Sequence, residues 1–172
     1  MPYLLDTDVL VASKRMHYHP DFCQLFWDWI DVGHSMGVFF SLDKVKDELM
    51  SGNEDDLLRQ WCKRPGLSDF FLPSKGAVAE YAALANWVAK RQPEYLPAAL
   101  SKFLATKGAD AWLIAAAANK GAAWKVVTNE VSAPESKKDV KLPDAAASLS
   151  IETISLSQLL RKHAKSNFQF AM

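Results

Sequence analysis

Two short apolar runs, Tyr3 to Leu5 and Trp124 to Val127, each stop within a few residues at an acid, Asp6 and Glu130. The first is apolar throughout and the second is broken only by Lys125, so both read as strands buried on both faces of a parallel sheet. Parallel neighbours need long crossovers, and the segments between these runs carry apolar residues at helical spacing. The chain is therefore predicted to be α/β, a three-layer α/β/α sandwich with a mainly parallel central sheet and a helical insert between the second strand and Asp110. Its 172 residues are enough for one domain, taken as 1–172.

Along the chain, Tyr3 to Leu5 is expected as the central strand, and Thr7 to Lys14 as a helix capped by Thr7 or Asp8. Pro20 is expected to start a second helix with Phe22, Leu25, Phe26, Trp29 and Ile30 on it. Val38 to Phe40 reads as a strand, and Ser41 as the cap of a helix carrying Val45, Glu48 and Leu49. Helices are also expected over Glu54 to Lys63, Lys75 to Arg91, Pro93 to Leu104 and from Asp110 through Asn119. Phe70 to Leu72 and Ile151 to Ile154 complete the strands, and Ser155 caps a last helix. Ser132 to Lys141 reads as a mobile loop, and the final residues are expected to fray.

Lys plus Arg and Asp plus Glu both number 20, a balance that weakens the case for a non-specific nucleic-acid binder, which is usually basic. Hydrophobic residues make up 49%, so disorder is not expected. Cys23 and Cys62 sit in apolar helical contexts and read as reduced core or boundary residues. No leader is visible and no apolar run approaches about 20 residues, so a cytoplasmic protein without a membrane span is expected.

Four acids stand apart: Asp6 in LLDTDVLV, Glu48 in VKDEL, Asp110 in GADAWLIAAA and Glu130 in VVTNE. Each alone has an ordinary explanation, as a helix cap, a solvated edge or a turn residue. Asp8 is able to cap the first helix and leave Asp6 for chemistry. Open α/β sheets place functional groups at the carboxyl ends of their strands. Carboxylates gathered there repel one another unless a hard divalent cation neutralises them. The set points to Mg²⁺ or Mn²⁺ and to phosphoryl chemistry.

In their order, LLDTDVLVAS, VKDEL, ADAWLIAAAA and VVTNE resemble the PIN-domain ribonuclease family, and the four motifs span most of the chain. HYHPDFCQLFWDWI and KLPDAAASLSIETISLSQLL resemble one branch of that family. The fold is shared by the VapC-like toxins of bacterial toxin–antitoxin pairs. The resemblance implies a metal-dependent endoribonuclease with Asp6, Glu48 and Asp110 as metal-binding acids, and Glu130 where a fourth acid, more usually Asp, stands. It implies that Thr128 orients a water or phosphate, and that the products are a 5′-phosphate and a 3′-hydroxyl. Asp8 departs from the pattern, standing where the family generally has Asn or Ser.

RNA needs cationic and stacking groups around such a centre. Lys14, Arg15, His17, Tyr18 and His19 are the candidates, with a plain polar loop as one alternative and a transition-metal site at His17 and His19, which no Cys or further His supports, as another. Lys137, Lys138 and Lys141 form a second basic patch. The run Arg161, Lys162, His163, Lys165 reads as a solvated helix end. Phe26, Trp27 and Trp29 exceed what one helix face is expected to bury, and a surplus of rings suggests a homodimer or antitoxin interface. Two rivals share parts of the pattern. A haloacid-dehalogenase-type phosphatase would use Asp6 as nucleophile and Asp8 as acid, but Asp144 lacks the acidic partner that family needs. A non-catalytic interaction protein would retain only the fold.

Overall fold

The computed structural model describes residues 1–91 and 94–172, so the helix start expected at Pro93 lies outside the described residues. Five strands, β1 (Tyr3–Leu5), β2 (Phe39–Leu42), β3 (Phe71–Leu72), β4 (Lys125–Val127) and β5 (Thr153–Ile154), form one sheet in the order β3-β2-β1-β4-β5. Every pairing is parallel, with Leu4 opposite Phe40 on one side and Val126 on the other. The runs are apolar because both faces are covered: Tyr3, Leu4, Phe39, Val126 and Val127 are fully buried.

The crossovers are helical: α1 (Thr7–Ala12), which runs into a π-helical turn over Ser13–His17, then α2 (Gln24–Ser35), α3 (Asp43–Met50) and α4 (Leu57–Trp61). α5 (Val78–Lys90) and α6 (Pro97–Phe103) make up the insert, which α7 (Asp110–Lys120) closes; α8 (Leu142–Ser148) and α9 (Leu156–His163) follow. α7 packs along α5 and is buried round most of its girth, with Ala115, Ala116 and Ala117 all inside. Gly33 on α2 lets that helix meet β2: a Cβ there would stand 2.1 Å from the Phe39 ring.

Several local expectations are corrected. Pro20 heads a turn in which the Cys23 amide donates to His19 O (2.9 Å), and the helix proper begins at Gln24. Ser41 belongs to β2, and its buried hydroxyl donates to Leu5 O (2.7 Å) instead of capping α3. The helix expected over Glu54 to Lys63 is only Leu57–Trp61, capped by Asp56. The basic segment after α1 is helical, not a polar loop. The stretch Ser132 to Lys141 is tied down: Ala133 N donates to Asp144 (2.9 Å) and Leu96 N to Lys137 O (2.8 Å).

Phe26, Trp27 and Trp29 are all buried, because α2 is covered on more than one side. Trp27 meets the edge of Trp61 from α4, while Phe26 and Trp29 meet Phe168 from the tail. The final residues fold back: Ala164 bridges Phe170, and His163 Nδ1 lies 2.8 Å from Ala171 O. His163 is thus buried, not part of a solvated end, and Lys162 reaches the Tyr3 hydroxyl at 2.9 Å. Among the described residues no helix is long and apolar enough to cross a membrane.

Candidate metal centre

Strand order reverses between β1 and β4, since the chain builds outward through β2 and β3 on one side and through β5 on the other. Such a switch point leaves a crevice at the carboxyl ends of its two strands. Asp6 follows β1 and Thr128 follows β4, in adjoining register, with Asp6 N donating to Val127 O (3.0 Å).

Asp6 is 4% exposed and is itself the cap of α1. One oxygen accepts the Thr7 amide (2.6 Å), the other the Thr128 hydroxyl (2.9 Å). The expectation that Asp8 caps this helix is therefore overturned. Asp8 reaches across to β4 and accepts the Asn129 amide at 3.0 Å. Thr128 Oγ1 in turn accepts Glu130 N (3.1 Å), so one hydroxyl orients an acid on each side of the crevice.

Asp110 opens α7, and Glu48 lies behind it on α3. Both Glu48 oxygens are engaged: Oε1 accepts Ala109 N (3.0 Å), and Oε2 accepts the Thr7 hydroxyl in a short contact. Glu130 gives one oxygen to Leu142 N (2.9 Å) at the start of α8 and stands 3.8 Å from the Lys141 ammonium. Asp110 and Glu130 share a hollow of about 100 Å³ with Lys102 and Lys141 at its rim.

Burial raises the Asp6 carboxyl well above its ordinary range, and the charges of Asp8 and Asp110 push it further up against the opposing Thr128 hydrogen bond. Asp8 is raised as well, first by burial. Asp110 is pushed to about 6, first by burial, then by the charges of Glu130, Glu48 and Asp8. The acids named in the sequence thus sense one another, with Asp110 at the centre. Asp6, Asp8, Glu48 and Asp110 have no ion-pair partner among the described residues.

That donor chemistry, hard oxygens carrying uncompensated charge, fits a hard divalent cation such as Mg²⁺ or Mn²⁺. As the side chains lie, however, no three His, Cys, Asp or Glu among the described residues stand close enough together to hold an ion. Glu48 and Glu130 are turned onto backbone amides, and a closed shell requires side-chain rotation.

The expected substrate-binding residues divide. Thr128 is at the centre of the crevice, buried. Lys14 is not free: it pairs with Asp56 at 2.5 Å beside a hollow that Thr7, Arg15 and Glu48 also line. Arg15 and His17 are exposed on the π-helical turn. Sequence reasoning missed Thr7, Asn129 and Lys102. Thr7 had a visible signal, its place between two aspartates; the others depend on distant segments meeting.

No curated protein and no solved structure matches the chain. A family profile spanning residues 3–168 does match, and the chain belongs to that family, described as a domain of unknown function (DUF4411).

Proposed function

We propose that the protein is a divalent-ion-dependent endoribonuclease with the acidic crevice beside β1 and β4 as its active centre, acting as the toxin of a toxin–antitoxin pair whose partner is a small antitoxin protein. One observation carries the reading: at a sheet switch point the carboxyls of Asp6, Asp8 and Asp110 have their proton affinities raised, first by burial and then by neighbouring acids, and no cation pairs with Asp6, Asp8, Glu48 or Asp110 among the described residues.

Asp6 and Asp110, with Asp8 and Glu130 beside them, supply the hard oxygens, while Glu48 braces the backbone on which they stand. Bound there, Mg²⁺ or Mn²⁺ supplies positive charge that polarises a phosphate and makes a water more acidic. Thr128 holds Asp6 in one orientation through a 2.9 Å hydrogen bond. An oxygen of Asp110 or Glu130 that the ion leaves free would take the proton from the attacking water. The water oxygen bonds to phosphorus as the bond to the 3′ oxygen breaks. The proton ends on that 3′ oxygen, leaving a 5′-phosphate and a 3′-hydroxyl. Water is the nucleophile in this reading, so no aspartyl-phosphate is expected on Asp6.

The test is cleavage of a labelled RNA by the full chain with Mn²⁺, with EDTA, and with Asp6→Asn in Mn²⁺. Cleavage in the first arm alone, with 5′-phosphate ends, is the expected result. Intact RNA throughout, or an Asp6→Asn variant as active as the parent, overturns the reading, and a trapped aspartyl-phosphate favours the phosphatase. Growth arrest on expression of the parent but not of Asp6→Asn tests the toxin role.

A further inference from the structure

Two hollows adjoin where the π-helical turn, the start of α2 and α9 meet. One, of about 440 Å³, is lined by His17 and Asn129; the other, of about 730 Å³, by Phe22, Lys165 and Phe168. Tyr18, Leu160 and Arg161 line both and join them into one groove. Its inner end is at Asn129, whose amide donates to Asp8. The groove therefore starts beside the acidic crevice.

Its chemistry is cationic and aromatic. His17, Arg161 and Lys165 are exposed and have no ion-pair partner among the described residues. The acid in it, Asp21, faces His19 at 3.5 Å. Phe22 is 74% exposed, its ring stacked with His19 at a centroid distance of 5.8 Å. Tyr18 stacks one side on Phe26. Free cations at intervals with rings between them suit a strand whose phosphates alternate with flat bases. A duplex hides its base faces, so the strand must be unpaired.

We propose that this groove carries single-stranded RNA to the crevice, with Arg161 and Lys165 on backbone phosphates and Phe22 and Tyr18 under unpaired bases; its destination rests on the nuclease reading above. Zero net charge does not oppose this, because a local track that carries Arg161 and Lys165 without ion-pair partners among the described residues attracts a polyanion whatever the total.

The experiment is fluorescence anisotropy of a labelled oligouridine of about 12 nucleotides, the span of a short single-strand site, titrated with the full chain in EDTA so that nothing is cleaved. Arg161→Glu with Lys165→Glu is expected to weaken binding at least tenfold and to reduce the slope of log affinity against log salt by about 1.4, as two lost phosphate contacts require. Phe22→Ala is expected to weaken it at least about fivefold. Lys75→Glu with Lys90→Glu, the same charge change at exposed positions just before α5 and at its end, should leave it within twofold of the parent, about 0.4 kcal/mol. All variants change exposed residues, and unchanged melting confirms their folding. No binding by the parent, or groove variants that bind like the parent, overturns the proposal. So does a duplex preferred to the single strand. Groove variants that keep strand affinity but change the oligomeric state make the face a protein interface, which also overturns it. Cleavage is read separately in Mn²⁺: binding without cleavage retains the groove and removes the nuclease, and cleavage indifferent to the groove variants does the reverse.

Discussion

Glu48 is the residue whose role the geometry changes most. Its oxygens accept from the Thr7 hydroxyl and the Ala109 amide, the neighbours of Asp6 and Asp110. It therefore fixes the spacing of the two carboxylates more directly than it offers an oxygen of its own. Glutamine can make both bonds, its carbonyl accepting from Ala109 N and its amide donating to the reversible Thr7 hydroxyl. Glu48→Gln should stay within about 1 kcal/mol of the parent in urea unfolding, whereas Glu48→Ala, which strands two donors, should lose about 1–3 kcal/mol. Mn²⁺ titration separates brace from ligand: a brace predicts a loss of about 10- to 100-fold for alanine and a much smaller one for glutamine. Equal losses would restore Glu48 as a direct ligand, as the resemblance implies.

At the scale of elements, the alternation of buried strands and amphipathic helices was legible because it is written in local periodicity, and β1, α7 and the Ser155 cap lie where the pattern places them. What was not legible depends on segments far apart in the chain. The three rings of α2 look too many for one face, yet Trp61 covers one side and the tail another. The tail looks polar and terminal, and only Phe168 and Phe170 betray that it packs. The Asp6 cap escaped for a related reason: with Asp8 two residues on, only the approach of Asn129 decides which acid turns inward. The tail gives a direct prediction. Phe170 stacks on His163 at 5.7 Å and meets the Phe39 edge at 5.5 Å, while Phe168 makes edge contacts with Tyr18 and Phe26. Replacing both with alanine should cost on the order of 3 kcal/mol, from apolar area returned to water and the cavity left behind. A fall in the urea midpoint at constant slope would show it; a parental midpoint would mean that the tail does not hold α2.

For the molecule as a whole, the crevice is where folding and function oppose each other. Asp110 titrates at about 6 in the folded chain because burial and three neighbouring acids disfavour its charge, whereas unfolded it should lose its proton near 4. Between those values the folded form binds more protons than the unfolded one, so stability falls as pH rises through that window. The contribution is fully present below about 4 and lost above about 6. Asp110→Asn, which needs no charge, should therefore be more stable than the parent at pH 7 by on the order of 2 kcal/mol, with the gap closing toward pH 4. Bound Mn²⁺ removes the same repulsion from the other direction, by binding the folded state alone. It should raise the melting temperature of the parent at pH 7 and leave Asp110→Asn nearly unmoved. Melting curves of the two proteins across pH 4 to 7.5, with and without Mn²⁺, carry both expectations. Parallel curves without the ion would mean that the acids do not repel, and equal responses to it would place its binding away from Asp110.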